Sequence, residues 1–160
     1  MVGVGDEAPV FSLPDQEGDL IDIEQFTGAW HVLTWLRSPS SPNCTAIACG
    51  FRDQLQSFGD LGCRVIALAY DRPEDLLVFD HRHRLRFSLL SDTDHAVSIR
   101  YGVARPDAAE PDPVTLLIGP DRRVRHRFDV RDAEFHVENV LDTLEHELFT
   151  TQHTPDDHHG

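Results

Sequence analysis

Two predominantly apolar runs, rich in β-branched and aromatic residues, set the strongest limit on the fold. Trp30-His31-Val32-Leu33-Thr34-Trp35-Leu36 and Cys63-Arg64-Val65-Ile66-Ala67-Leu68-Ala69-Tyr70 lack the alternation of a half-wet strand, so each reads as a buried central strand. Between them Ile47, Phe51, Leu55 and Phe58 recur at helical spacing and form one apolar stripe, on a helix that begins near Asn43 or Cys44. Pro73-Glu74-Asp75 opens a second helix, because proline and acids suit a first helical turn. Residues 87–90 read as a short strand and 94–101 as a short helix stopped by Gly102. Residues 114–118 and 124–130 read as strands joined by the turn Gly119-Pro120-Asp121-Arg122, and Val137, Val140, Leu141, Leu144 and Leu148 mark a final helix. Strands alternating with helices predict one α/β domain with a mostly parallel sheet. That domain spans residues 1–149, and the His- and Asp-rich residues 150–160 read as a disordered tail.

A chain of 160 residues buries roughly 70% of its unfolded surface and needs no staple to fold. A formal charge of −14 argues against a nucleic-acid partner, whose phosphates demand clustered cations. All 14 basic residues are arginine, which excludes Schiff-base lysine chemistry and a phosphate-loop lysine. The first residues carry neither a basic start nor an export-length apolar run, and no later run is long enough to span a membrane. A cytoplasmic protein with reduced thiols is expected. No cofactor or metal is expected. His81 and His83 point to different sides of a helix, and His153, His158 and His159 fall in the polar tail. Arg122-Arg123-Val124-Arg125-His126-Arg127 reads as a solvated edge strand, where charge discourages edge-to-edge pairing.

The chemistry, on this reading, runs through Cys44 and Cys49. Cys44 follows Ser40-Ser41-Pro42-Asn43, a loop of turn and capping residues, and precedes the helical stripe. Its sulfur therefore lies at a helix N-terminus, where unpaired N–H groups and the helix dipole favour a thiolate. That effect alone is limited. A stabilisation of at most ~2 kcal/mol moves an ordinary thiol from about 8.5 to about 7, so full ionisation calls for a cation as well. Cys49 lies five residues on, turned about 140° away and about 7.5 Å further along an intact helix. A disulfide needs Cα atoms within about 7 Å, so this pair closes only if the first helical turns unwind. Cys63, at the start of a buried run, reads as a core residue.

These residues resemble the peroxiredoxins, in particular the bacterioferritin-comigratory or Q-type branch of the thioredoxin-fold superfamily. The likeness runs from Gly5 to about Leu148. It rests on Gly5-Asp6-Glu7-Ala8-Pro9-Val10-Phe11, on Ser41-Pro42-Asn43-Cys44-Thr45-Ala46-Ile47-Ala48-Cys49-Gly50-Phe51-Arg52-Asp53, on Leu89-Leu90-Ser91-Asp92 and on Tyr101-Gly102-Val103. The resemblance implies a thioredoxin fold with a central mixed sheet flanked by helices. It implies a thiol-dependent peroxidase in which Cys44 attacks a hydroperoxide to give a sulfenate and Cys49 resolves it as a Cys44–Cys49 disulfide. A thioredoxin-like or other dithiol reductant would then regenerate a monomer or homodimer.

Three positions depart from the family pattern. Ser41 stands for its threonine and keeps the hydroxyl, Arg37 stands for its proline, and Pro113 stands for its arginine. The last change removes the cation that the dipole argument calls for. Arg37, at the end of the strand feeding the Cys44 loop, and Arg52, in the Phe-Arg-Asp run, are the replacement candidates. Asp112-Pro113-Val114-Thr115 also looks like the cis-proline segment of thiol-disulfide oxidoreductases. Two alternatives therefore stand beside the peroxidase, namely a thiol-disulfide oxidoreductase using the same pair and a non-catalytic redox-sensing module.

Overall fold

The structure is a computed structural model and describes residues 2–38, 41–130 and 133–152. A short hairpin of β1 (Ser12–Pro14) and β2 (Leu20–Asp22) leads through a 3-10 turn into β3 (Trp30–Trp35). Then come α1 (Pro42–Asp53), α2 (Leu55–Asp60), β4 (Cys63–Ala69), α3 (Pro73–His83), β5 (Ser88–Ser91) and α4 (Ala96–Arg100). The chain continues through β6 (Val114–Ile118), β7 (Val124–Asp129) and α5 (Ala133–Gln152). The main sheet has the order β5-β4-β3-β6-β7. Strands β3, β4 and β5 run parallel, while β6 pairs antiparallel with both β3 and β7. The sheet is mixed because the Gly119–Arg122 turn, closed by the Arg122 N–H on the Gly119 carbonyl at 2.9 Å, is far too short for a parallel crossover.

The pleat sorts β3 onto two cores. Trp30 and Val32 face a cluster that holds Cys44, Ile47 and Phe51 of α1, Phe58 of α2, Leu76 of α3, and Val140 and Leu144 of α5. Leu33 and Trp35 face the opposite cluster, with Val97 of α4, Tyr101 and Phe11. Both faces are covered, which is why β3 is buried at every position. Each fully buried large side chain contributes about 1.5–3 kcal/mol. Under the second face, Trp35 Nε1 donates to Ser98 Oγ at 2.9 Å, and Asp92 accepts from the Ser98 hydroxyl at 2.6 Å and the Ser98 N–H at 2.8 Å.

Three expectations are corrected. The stripe from Ile47 to Phe58 lies on two helices, because Gln54 leaves helical geometry at φ −102°, ψ 8°. The periodicity survives the break, so it carried no sign of it. Helix α1 begins at Pro42, before Asn43, since a proline lacks the N–H that the first helical position leaves unused. Helix α5 continues through Gln152, into the stretch read as tail, whose remaining residues lie outside those described. Strand β7 is an edge strand, as its arginines suggested.

Candidate active site

Cys44 owes its position to the turn that starts α1. Ser41 is extended at φ −74°, ψ 151°, and its Oγ accepts the Cys44 N–H at 3.3 Å while its carbonyl accepts the Thr45 N–H at 2.9 Å. This is an N-cap followed by proline, the arrangement that begins a helix whose positive end favours an anion. The Ser38 N–H donates to Cys44 Sγ at 3.3 Å. A backbone donor aimed at the sulfur stabilises a thiolate more than a thiol, because the hydrogen bond strengthens with acceptor charge. Cys44 is only 3% exposed.

Its sulfur faces a cavity of about 600 Å³, walled by Arg37, Ser38, Ser41, Glu110 and Pro113, with Pro42, Asn43, Ile47 and Val130 completing the lining. Arg37 and Glu110 are its charged members, and Arg37 Nε pairs with Glu110 Oε1 at 2.9 Å. Pro113 is pinned through its carbonyl, which accepts the Val130 N–H at 2.9 Å. The Asp112–Pro113 peptide is trans, since no cis bond occurs among the described residues. The likeness to a cis-proline segment is therefore corrected. One cavity thus holds Cys44, Ser41 and Arg37 from the predicted set.

Next to Pro113 on β6, the Thr115 hydroxyl lies 2.8 Å from Thr34 Oγ1 and 2.8 Å from His136 Nε2. Burial pushes His136 down to about 4, so near neutrality its imidazole is uncharged and links α5 to the central strands as a neutral hydrogen-bond partner.

The other predicted residues lie apart from this cavity. Cys49 sits on the same intact helix, half-buried and packed on the core that contains Cys44. All three cysteines are free. Arg52 is on the last turn of α1, donating from Nη1 to the His83 carbonyl at 2.7 Å and pairing with Asp53 at 2.9 Å. It lines a separate cavity with Arg82, His83, Arg84 and Arg86. Cys63 is enclosed in the core, where burial pushes its thiol up to about 12 and keeps it protonated. Among the described residues, no three His, Cys, Asp or Glu side chains converge as a metal site requires, and no helix is long and apolar enough to cross a membrane.

Residues 4–127 match the AhpC/TSA family. The chain belongs to that family. Peroxiredoxin Bcp of Escherichia coli strain K12 is 34% identical over 146 residues, which cover 88% of this chain and 94% of that protein. In structure, peroxidoxin BcpB from Mycobacterium tuberculosis superposes with a TM-score of 0.85 at 26% identity, covering 91% of this chain and 98% of the other. The bacterioferritin comigratory protein of Xanthomonas campestris, whose structures concern alkyl peroxide reduction, gives 0.81 at 20% identity over 86% and 91% of the two chains. The five-stranded mixed sheet flanked by helices is thus the thioredoxin fold of a peroxiredoxin.

Two groups at this cavity escaped the sequence reading. Ser38 acts through its backbone N–H, a group every residue but proline carries, so no residue type could signal it. Glu110 lies in the segment between α4 and β6, rich in Ala, Pro and Asp, where spacing says nothing about which side chain turns toward the thiol.

Proposed function

We infer that the chain is a thiol-dependent peroxidase in which Cys44 attacks the substrate and Cys49 resolves the product. The observation that carries this is Cys44 Sγ at a capped helix N-terminus, accepting the Ser38 N–H at 3.3 Å inside the cavity of about 600 Å³. In the forward step the Cys44 thiolate attacks one oxygen of a hydroperoxide and the O–O bond breaks. The other oxygen leaves with a proton as water or an alcohol, and Cys44 becomes a sulfenic acid. Cys49 then attacks that sulfur, releases water and forms the disulfide, which an external thioredoxin-like dithiol reduces by exchange. Both thiols lie on α1 of one chain, so the cycle closes within a single subunit, in a monomer or a homodimer. The cytoplasm, with its reduced dithiols, is the fitting compartment.

Arg37 takes the role of the missing family cation. The family pattern places proline at 37 and arginine at 113, whereas this chain has Arg37 and Pro113, and both positions line the Cys44 cavity. The exchange moves a guanidinium from one wall to another and leaves a proline in its place. Ser41 caps the helix and presents its hydroxyl to the same space. Arg52, engaged with His83 and Asp53, supports the far end of α1.

The test is hydroperoxide consumption by wild type, Cys44→Ser and Cys49→Ser proteins supplied with a thioredoxin system. Cys44→Ser abolishes turnover and most thiol alkylation, whereas Cys49→Ser still consumes one equivalent of peroxide before stalling. Sustained turnover by Cys44→Ser, or faster alkylation of Cys49 than of Cys44 in the reduced protein, overturns the assignment. Disulfide exchange without peroxide consumption would move the function to a thiol-disulfide oxidoreductase.

A further inference from the structure

We propose that Glu110 is a positioning residue that holds Arg37 off Cys44 and thereby limits how far the thiol is ionised. The inference rests on the reading of Arg37 above. Arg37 and Glu110 line the Cys44 cavity together, and their 2.9 Å pair uses only the Nε of the guanidinium. Its two terminal nitrogens have no partner among the described residues, so the side chain has donors to spare for an anion at Cys44. The same two residues also line an adjoining cavity of about 280 Å³ with Arg105, Pro111 and Asp112. The ion pair is therefore a partition between the two spaces, and its guanidinium can serve either side.

A carboxylate in contact with the guanidinium cancels most of its field at the sulfur, because a thiolate then faces a dipole where it would face a net cation. The pair is also easily broken. Arg37 is 61% and Glu110 41% exposed, and exposed pairs contribute little to holding a geometry. The segment that carries Glu110 is closed by the Asp112 N–H on the Val103 carbonyl at 2.7 Å and contains a turn with the Ala108 N–H on the Arg105 carbonyl at 3.0 Å. A bound peroxide or thiolate competes with Glu110 for the guanidinium. Among the described residues, Arg105 lines the adjoining cavity with the pair, and the positive end of α1 lies at the Cys44 cavity. Asp112 lines the adjoining cavity, and Asp71 lies close enough to Glu110 for the two carboxylates to repel each other.

The experiment measures thiolate absorbance against pH and the rate of Cys44 alkylation in Glu110→Gln, Glu110→Asp, Arg37→Ala and the Arg37→Ala/Glu110→Gln double variant. Glu110→Gln moves the titration curve to lower pH by about one unit and raises alkylation at neutral pH roughly fivefold. Glu110→Asp restores wild-type behaviour in part, and the double variant behaves as Arg37→Ala. A structural role for Glu110 would change melting temperature and leave the curve in place. An unchanged curve, or one moved to higher pH in Glu110→Gln, overturns the proposal, the latter by revealing that Glu110 aims Arg37 at the thiol. If Glu110→Gln shifts the curve equally with and without Arg37, then Arg37 is not the cation and the earlier reading of that residue falls too. If Arg37→Ala alone slows alkylation while Glu110→Gln does nothing, only the present inference falls.

Discussion

The buried imidazole of His136 makes the stability of this protein depend on pH below neutrality. His136 is 5% exposed and bonded through Nε2 to Thr115, and burial pushes it down to about 4. An unfolded histidine titrates near 6.5. Above that pH both states are neutral and the group contributes no pH dependence. Below it the unfolded chain binds a proton that the fold refuses, so stability falls until the folded group itself titrates. Between about pH 7 and about pH 5 the loss integrates to about 2 kcal/mol. His31, buried in the facing core and also lowered by burial, adds a loss of the same sign. Comparison with His136→Gln isolates one of the two, since glutamine retains a hydrogen-bonding group for Thr115 and does not titrate. Urea unfolding at the two pH values should give wild type about 2 kcal/mol more acid loss than His136→Gln. Equal losses in the two proteins would refute the argument and mean that His136 is protonated within the fold.

Two further outcomes follow from α1. A Cβ built on Gly50 meets Val137 Cγ2 at 2.9 Å, and a β-branched side chain at that contact has no free rotamer to yield into. Gly50→Ala should therefore part α1 from α5 and lower the melting temperature by about 2–4 °C, despite alanine's better helix propensity; a raised melting temperature would show that the interface yields. Oxidation to the Cys44–Cys49 disulfide should raise amide exchange across residues 45–51, because five-residue spacing on an intact helix keeps the sulfurs apart. Unchanged protection, with the disulfide verified by mass, would mean that the pair closes without unwinding.

Legibility in the sequence followed the strength of the local physical signal. Strand β6 occupies the run from Val114 to Ile118 as read, since a β-branched and apolar stretch between proline and glycine has one reasonable placement. Cys44 was legible because a capping serine, a proline and an apolar stripe converge on one helix start. The break at Gln54 was not, because Phe51 and Phe58 keep facing one core across it, with their rings 5.7 Å apart. Arg52 was drawn toward the thiol by a family motif, yet eight residues of helix carry it about 12 Å along the axis to the His83 carbonyl. Glu110 joins the site only through tertiary packing, which periodicity does not encode.

On the proposed reading, stabilisation of a Cys44 thiolate divides into a fixed part and a movable part. The Ser38 N–H and the N-terminus of α1 are backbone groups held by the Ser41 cap and by the burial of Cys44, so they act at full strength in every state that keeps the helix. Their combined effect is bounded by what a helix terminus and one hydrogen bond can supply, about 2–3 kcal/mol. The guanidinium contribution comes from Arg37, an exposed side chain already engaged by Glu110, and it is screened by solvent and salt in a way the backbone groups are not. Unwinding the first turns of α1 to form the disulfide removes the fixed part outright, because the cap, the dipole and the Ser38 contact all depend on that turn. The cation on the strand side survives it. On the proposed cycle, reduction of the disulfide would therefore start without the helix terminus, with Arg37 as the one cation left at the thiol once Glu110 releases it, and rewinding the helix would restore the rest.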